Sequence, residues 1–186
     1  RTRQRAVAEL PQWDALSLGA LAEKLVELVQ EHNRELGTLN AAVQVLAKLG
    51  RQAVLKLAPL LSHPLVEVRL AAAVVLSHLP EGLGVPLLLD LLEDEDVNVR
   101  YHAIEGLGMQ GRRRAAPALL KWAVGEDFFL SFAAVEALGK LGEVGVVPEL
   151  CRLLGDEMMR DSAAEALARL PHPVAVPALL AVGAHS

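Results

Sequence analysis

An alanine followed four residues later by a leucine recurs five times along the chain, and this recurrence limits the possible folds more than any other feature. The pairs are Ala42 and Leu46, Ala72 and Leu76, Ala103 and Leu107, Ala134 and Leu138, and Ala163 and Leu167. Successive pairs are 30, 31, 31 and 29 residues apart. A period near 30 residues is typical of helix pairs stacked into a solenoid, because a single pair cannot bury its own apolar face.

Glycines and prolines at fixed distances from each leucine support this prediction. Four residues after each leucine comes a residue at which a helix can end, namely Gly50, Pro80, Gly111, Gly142 or Pro171. Ten residues after four of the leucines comes a proline, which suits the first turn of a helix, namely Pro86, Pro117, Pro148 or Pro177. Two residues after each of these prolines comes a leucine. Each repeat is therefore predicted to contain a first helix, a tight turn and a second helix.

The repeats divide the chain into two parts. Residues 1–37 do not follow the pattern and are predicted to form an N-terminal helical cap or a degenerate repeat, with one helix stopped by Pro11 and a second ending at Gly37. The solenoid is predicted for residues 38–186, with about five repeats at 38–63, 64–92, 93–124, 125–154 and 155–186. In the first repeat Pro59 lies three residues later than the pattern requires, which predicts a kinked or shifted second helix.

Composition narrows the class of protein. Hydrophobic residues make up 53% of the chain and aromatic residues only 3%, so the core is aliphatic and disorder is excluded. The net charge of −5 disfavours strong binding to a nucleic-acid backbone. Cys151 is the single cysteine, which rules out an internal disulfide framework and fits a reducing, cytoplasmic compartment. No uncharged run reaches the ~18 residues of a membrane span. The start at Arg1 rather than methionine indicates a trimmed chain or a piece of a longer one.

Four short runs carry a family resemblance. They are Val68-Arg69, Val99-Arg100, Glu136-Ala137-Leu138-Gly139 and Val146-Val147-Pro148. From about Thr38 to its end, the chain resembles the HEAT-like repeats first noticed in phycobilin lyases. The resemblance implies an all-α, right-handed α-solenoid of antiparallel helix pairs, with first helices on the convex side and second helices on the concave side. It implies no single function, and the aliphatic, alanine-rich repeats suggest a bacterial source.

The resemblance also implies a role for the arginine that follows the valine. In such repeats this arginine usually pairs with an acid in a turn. Arg69, Arg100 and Arg160 occupy the position, whereas Leu39 and Ser131 depart from it. We therefore interpret these arginines as structural, in a ladder of ion pairs that is broken at the first and fourth repeats.

Patterns of catalysis or metal binding are weak. The related HEAT-repeat deoxyhypusine hydroxylases hold iron with repeated His-Glu pairs, and this chain has no His-Glu dipeptide. His102 and Glu105 could share a helix face, but no second repeat supplies a matching pair. Cys151 occupies a position that is leucine in other repeats and is interpreted as a buried hydrophobe. We predict no metal, no cofactor and no catalytic residue.

The predicted binding surface lies on the second helices. Positions one and four after the proline face away from the core. The predicted partner-binding residues are Leu87, Asp90, Lys121, Glu149 and Arg152, with Trp122 beside them. We call these six residues the second-helix strip. Its mixed charges and apolar neighbours suit a helix or extended peptide better than a polyanion.

Two turns carry further candidate features. Arg112, Arg113 and Arg114 lie in the turn of the third repeat and form a basic edge patch, opposite an acidic edge that includes residues 93–96. Local charges of opposite sign at two edges can orient a protein partner. Phe128 and Phe129 follow the next acidic turn. One of them is expected to staple the start of its helix, and the other is expected to be exposed.

These features favour a non-enzymatic module that binds another protein, or another domain of its own chain, on the concave face. The alternative is a lyase or chaperone-like subunit for a tetrapyrrole (bilin), with Lys121, Arg152 and Arg114 available for propionates. Binding or repair of DNA is disfavoured by the acidic balance. The apolar last helix has no polar cap after it in the sequence, which predicts self-association or a covering partner.

Overall fold

The computed structural model describes residues 15–31, 36–170, 173 and 175–183. Within those residues the chain forms eleven α-helices and no strand, which confirms the prediction of an all-α protein. The helices are α1 (Ala15–Glu31), α2 (Leu36–Leu49), α3 (Arg51–Leu57), α4 (Val66–Ser77), α5 (Val85–Asp90), α6 (Val97–Gln110), α7 (Ala116–Ala123), α8 (Phe128–Leu141), α9 (Val147–Leu153), α10 (Arg160–Ala168) and α11 (Ala175–Gly183). The predicted first helix of the cap falls outside the described residues.

The alanine and leucine pairs that define the repeat lie in the core. All ten of these side chains are buried, and they stand on the first helices α2, α4, α6, α8 and α10. The leucines two residues after the prolines, Leu88, Leu119 and Leu150, are also buried, on the second helices α5, α7 and α9. A stripe spaced by three or four residues keeps its members on one face of a helix. The sequence period therefore predicts which face of each helix is buried.

The chain forms two compact units, Arg1–Gly106 and Leu107–Ser186, whose boundary falls within α6. In the first unit α1 packs on α2 and α3, α2 packs on α4, and α4 packs on α5. The second helix of the first repeat, α3, is followed directly by a 3-10 turn (Ala58–Ser62) that carries Pro59 in its first turn. The predicted irregularity at Pro59 is confirmed, because a residue without an N–H cannot continue the α-helical ladder.

In the second unit, α7 packs on α8, α8 on α10, α9 on α10, and α10 on α11. Gly142 ends α8 in the left-handed conformation with φ of 65°, which glycine adopts without a steric cost. A short 3-10 turn, Val144–Val146, then leads into α9, where Pro148 stands in the first turn as expected. Helix end, tight turn and proline thus appear in the order that the sequence predicts.

Consecutive first helices approach closely through small residues. A β-carbon placed on Gly139 would lie 2.9 Å from the Cα atom of Ala166, and one on Gly108 would lie 3.0 Å from the Cα atom of Ala137. A β-carbon on Gly106 would lie 3.0 Å from the Cβ atom of Ser77. In every case the residue after the leucine of one repeat meets the residue before the leucine of the next. The distances leave no room for a larger side chain.

Candidate functional site

Three of the six residues of the second-helix strip are exposed, and the other three are half-buried. Asp90 in the first unit, and Lys121 and Arg152 in the second, stand four residues after their prolines and are exposed. Leu87 and Glu149, one residue after their prolines, are half-buried. Because the leucine between these two positions is buried in each repeat, the exposed position always lies on the outer face of its helix.

Contacts within the strip are local. Arg152 Nη1 donates a hydrogen bond to Glu149 Oε1 at 3.1 Å, one turn earlier on α9. The Arg152 side chain is 78% exposed and that of Glu149 is 28% exposed, so water screens the pair and the arginine charge stays accessible to a partner. Trp122 on α7 is half-buried, and its carbonyl oxygen lies 2.9 Å from the Ser131 hydroxyl. The indole is therefore in part a core side chain.

The basic edge patch lies in the turn between α6 and α7. Arg112, Arg113 and Arg114 are all exposed, and the last two belong to a 3-10 turn that leads into α7. Arg113 Nε lies 3.9 Å from Glu143 Oε2, at the limit of an ion pair. The position of the patch in a turn agrees with the prediction, and its role as a binding site stays a prediction.

Arg69 forms an enclosed ion pair with Asp94. Its Nε atom donates to Asp94 Oδ2 at 2.8 Å, and Nη2 donates to Asp94 Oδ1 at 3.0 Å and to Glu95 Oε1 at 3.3 Å. The side chains of Arg69 and Asp94 are each only 5% exposed. Hydrogen bonding to Asp94 raises the pKa of Arg69 above its ordinary value, against the opposing effect of burial. A doubly bonded, enclosed pair of this kind is structural.

In each of the three repeats that have this arginine, its side chain donates to a nearby backbone carbonyl oxygen. Arg69 Nη1 donates to the carbonyl oxygen of His63 at 2.8 Å. Arg100 Nη1 donates to that of Asp94 at 2.7 Å, and Arg160 Nε to that of Leu154 at 3.1 Å. Each acceptor stands six residues before its arginine. The arginine therefore bonds to a turn carbonyl oxygen. The family resemblance implies only its pairing with an acid.

Ser131 performs this local task without a charge. Its hydroxyl lies 3.1 Å from the carbonyl oxygen of Gly125, again six residues upstream, and 2.9 Å from that of Trp122. The serine is buried. The predicted break in the arginine ladder at the fourth repeat thus removes a charge while a donor to the turn remains.

The turns before three first helices also share an aspartate. Asp96 Oδ1 accepts hydrogen bonds from the backbone N–H groups of Asn98 and Val99, at 2.8 and 3.2 Å. Asp127 Oδ1 accepts from Leu130 N at 3.2 Å, and Asp156 Oδ1 accepts from Met158 N at 2.9 Å. Aspartates at these places satisfy backbone donors that a helix start leaves without partners.

Two expectations about single side chains need correction. Phe128 and Phe129 are 47% and 48% exposed, which agrees with the expectation that one of them is exposed, but both follow the N-cap residue Asp127, so neither precedes the helix as a staple does. Phe128 instead faces Phe132, with ring centroids 6.5 Å apart. Cys151 is half-buried and not fully in the core. Its equivalents in two other repeats, Leu89 and Leu120, are also half-buried, so this position lies at the rim of the core.

Within the described residues no three His, Cys, Asp or Glu side chains are placed to hold a metal ion. His102 Nδ1 lies 3.4 Å from Glu105 Oε2, an isolated pair on α6. No helix among the described residues is both long enough and apolar enough to cross a bilayer.

Comparisons with known proteins agree with this geometry. A model of HEAT repeats matches residues 54–138 and 85–168, and a model of the phycobilisome-lyase (PBS lyase) HEAT-like repeat matches residues 159–182. No curated protein sequence matches the chain. Among solved structures, the crystal structure of an engineered protein from a structural genomics consortium is similar, with a TM-score of 0.53 and 22% identity over 99% of this chain and 86% of that one. This likeness supports the fold alone.

Proposed function

We propose that this chain, which belongs to the family of HEAT-repeat proteins, is a non-enzymatic binding module that holds a segment of another protein on its second helices. HEAT repeats form a scaffold, and the predicted all-α solenoid agrees with the family match and with the helices described above. The segment is an α-helix or an extended peptide with charges of both signs.

One observation carries the proposal. At the position four residues after the proline, three successive repeats hold an exposed charged residue, Asp90, Lys121 and Arg152, although the leucine two residues before each is buried. Exposed charges at an interface set the orientation and rate of association more than they set raw affinity. The half-buried side chains of Leu87 and Trp122 add apolar area beside these charges.

The test uses a displayed library of random peptides selected on the immobilised chain. Peptides that bind are measured against the charge-reversal variant D90K/K121E/R152E. The matched control is E31K/K48E/R51E, which makes the same change in net charge at exposed positions of α1, α2 and α3. We expect the strip variant to lose at least about tenfold in affinity and the control to keep it. Peptides that bind both variants as tightly as the unmodified chain would place the site elsewhere.

A second candidate rests on the match of residues 159–182 to the PBS lyase HEAT-like repeat. In that reading the chain handles a bilin, and the exposed Lys121, Arg152 and Arg114 bind the propionates. Titration with a bilin, followed by its visible absorbance, tests this. A saturable spectral shift that the variant K121E/R152E abolishes would favour the lyase or chaperone-like subunit over the protein-binding module.

A further inference from the structure

The start of α8 presents aromatic side chains to solvent. Phe128, Phe129 and Phe132 are 47%, 48% and 45% exposed, and Val124 in the preceding turn is 59% exposed. Phe128 and Phe132 stand one helical turn apart with their rings in contact. The chain has only three phenylalanines, and all of them lie here. We call Val124, Phe128, Phe129 and Phe132 the aromatic edge.

The packing of the repeat does not require a phenylalanine at positions 128 and 129. Counting from the buried residue that follows, Val99 or Leu130, the equivalents of Phe128 and Phe129 in the preceding repeat are Val97 and Asn98. Asn98 is exposed, as expected for a polar residue at a helix start. The repeat thus forms with a small apolar residue and an amide at these two positions. Large exposed rings at positions where the preceding repeat has smaller side chains mark an interaction surface.

The turn that leads into the aromatic edge is acidic. Glu126 and Asp127 are exposed, and the stretch of residues 122–139 contains no lysine or arginine. At the next turn of the same unit Asp156 and Glu157 are exposed, beside Met158, which is 68% exposed and occupies the position equivalent to Phe129. The turns before α8 and α10 therefore both combine an exposed apolar side chain with two carboxylates.

From this combination we propose that the aromatic edge is a docking site for a basic segment of another protein, with apolar residues on one face and lysine or arginine on the flanks. The apolar face of such a segment covers the phenylalanine rings, and its cations meet Glu126 and Glu157. Arginine and lysine also interact favourably with exposed aromatic faces. This site shares no residue with the second-helix strip, so variants can test each of them alone.

The probe is a synthetic amphipathic helix of leucine and lysine, labelled for fluorescence anisotropy. Two peptides of the same length serve as comparisons, one with glutamate in place of lysine and one with serine in place of leucine. We expect the leucine–lysine peptide to bind the unmodified chain at least about tenfold more tightly than either comparison peptide, because the site needs both apolar contact and positive charge.

The decisive variant is F128V/F129N, which installs the residues of the preceding repeat and so suits the helix start. We expect it to lose at least about tenfold in affinity for the leucine–lysine peptide. F132S, at the other exposed ring, is a second variant and should weaken binding in the same direction. Circular dichroism spectra equal to those of the unmodified chain establish that the helices are retained.

A charge-matched pair of variants separates docking from general attraction to an acidic protein. E126Q/E157Q removes two carboxylates beside the aromatic edge, whereas E93Q/E95Q removes two exposed carboxylates at a turn without phenylalanine. We expect only the first to weaken binding. Equal losses from both, or undiminished binding by F128V/F129N, would overturn the proposal. Sedimentation analysis gives a further test. The proposal would also be overturned if the unmodified chain were a dimer and F128V/F129N a monomer, because a second copy would then occupy the aromatic edge.

Discussion

The turn before α6 and the turn before α8 perform the same structural task with different chemistry. At the first, Asp94 is enclosed by Arg69, and its carbonyl oxygen is held by Arg100. At the second, the residue equivalent to Asp94 is Gly125, and the buried hydroxyl of Ser131 lies near its carbonyl oxygen. One turn is closed by charges and the other by neutral groups, while an aspartate near each helix start bonds backbone N–H groups in both.

This difference separates what the repeat requires from what it tolerates. A donor to the carbonyl six residues upstream is present in four repeats, from Arg69, Arg100, Ser131 and Arg160. Each donor gives a turn carbonyl an intramolecular hydrogen-bond partner. The turn before α8 forms without the arginine charge. Its surface carries exposed phenylalanine side chains.

The largest expected effect comes from breaking the charged turn. In the variant R69M, Asp94 keeps its enclosed carboxylate without a counter-charge, and we expect a loss of about 3–5 kcal/mol in the free energy of unfolding. Urea denaturation followed by circular dichroism measures this loss. The double variant R69M/D94N leaves no buried charge and should recover a large part of it. Equal stability of the single and double variants would show that the carboxylate is not what makes the loss large.

The neutral turn should be less costly to break. S131A removes the hydroxyl that lies near the carbonyl oxygens of Trp122 and Gly125, and we expect a loss of about 1–2 kcal/mol, because no charge is left uncompensated. The exposed serine variant S62A is the control and should be unchanged in the same urea titration. A loss from S131A as large as that from R69M would erase the distinction between the two turns.

The aspartates at the two turns should contribute nearly the same free energy of unfolding. D96A and D127A each remove a carboxylate that accepts backbone N–H groups at a helix start, and we expect each to cost about 1 kcal/mol. D96A should be slightly the more harmful, because Asp96 accepts two N–H groups and Asp127 accepts from Leu130. Thermal unfolding of D96N and D127N, which retain an acceptor, provides the comparison. A clear cost at one turn only would show that the two starts differ locally.

The smallest effect is expected at Glu95. Its carboxylate lies 3.3 Å from Arg69 Nη2 but is 86% exposed, so water and salt screen the interaction. E95Q should change the free energy of unfolding by less than about 0.5 kcal/mol, and 1 M NaCl should remove even that difference. A loss comparable with that from R69M would mean that Glu95, and not Asp94, is the main partner of the guanidinium.

The sequence predicts the helix faces well because the period acts through simple geometry. Leu107 and Leu138 are buried for the same reason, since each lies on the stripe that one helix turns toward its neighbours. The outward direction of Lys121 and Arg152 follows from the buried leucines beside them, Leu119 and Leu150. These statements need only the spacing within one helix.

Features that depend on contacts between turns could not be predicted in this way. Ser131 breaks the arginine pattern, and only the folded turn shows that its hydroxyl reaches the carbonyl of Gly125. The exposure of Phe128 and Phe129 runs against the apolar character of phenylalanine, which the sequence interprets as a staple. In both cases the structure departs from the pattern that the sequence predicts. At the phenylalanines we relate this departure to binding.

The small residues between consecutive first helices have a consequence for how such a chain can change in length. Gly108 faces Ala137, and Gly139 faces Ala166, so each repeat carries one half of the contact with the repeat before it and one half of the contact with the repeat after it. Genetic recombination that adds or removes one full period keeps each glycine opposite an alanine, so the contact between consecutive first helices is preserved. Insertions of other lengths would set bulky residues against glycine, so we expect the array to grow only in whole repeats.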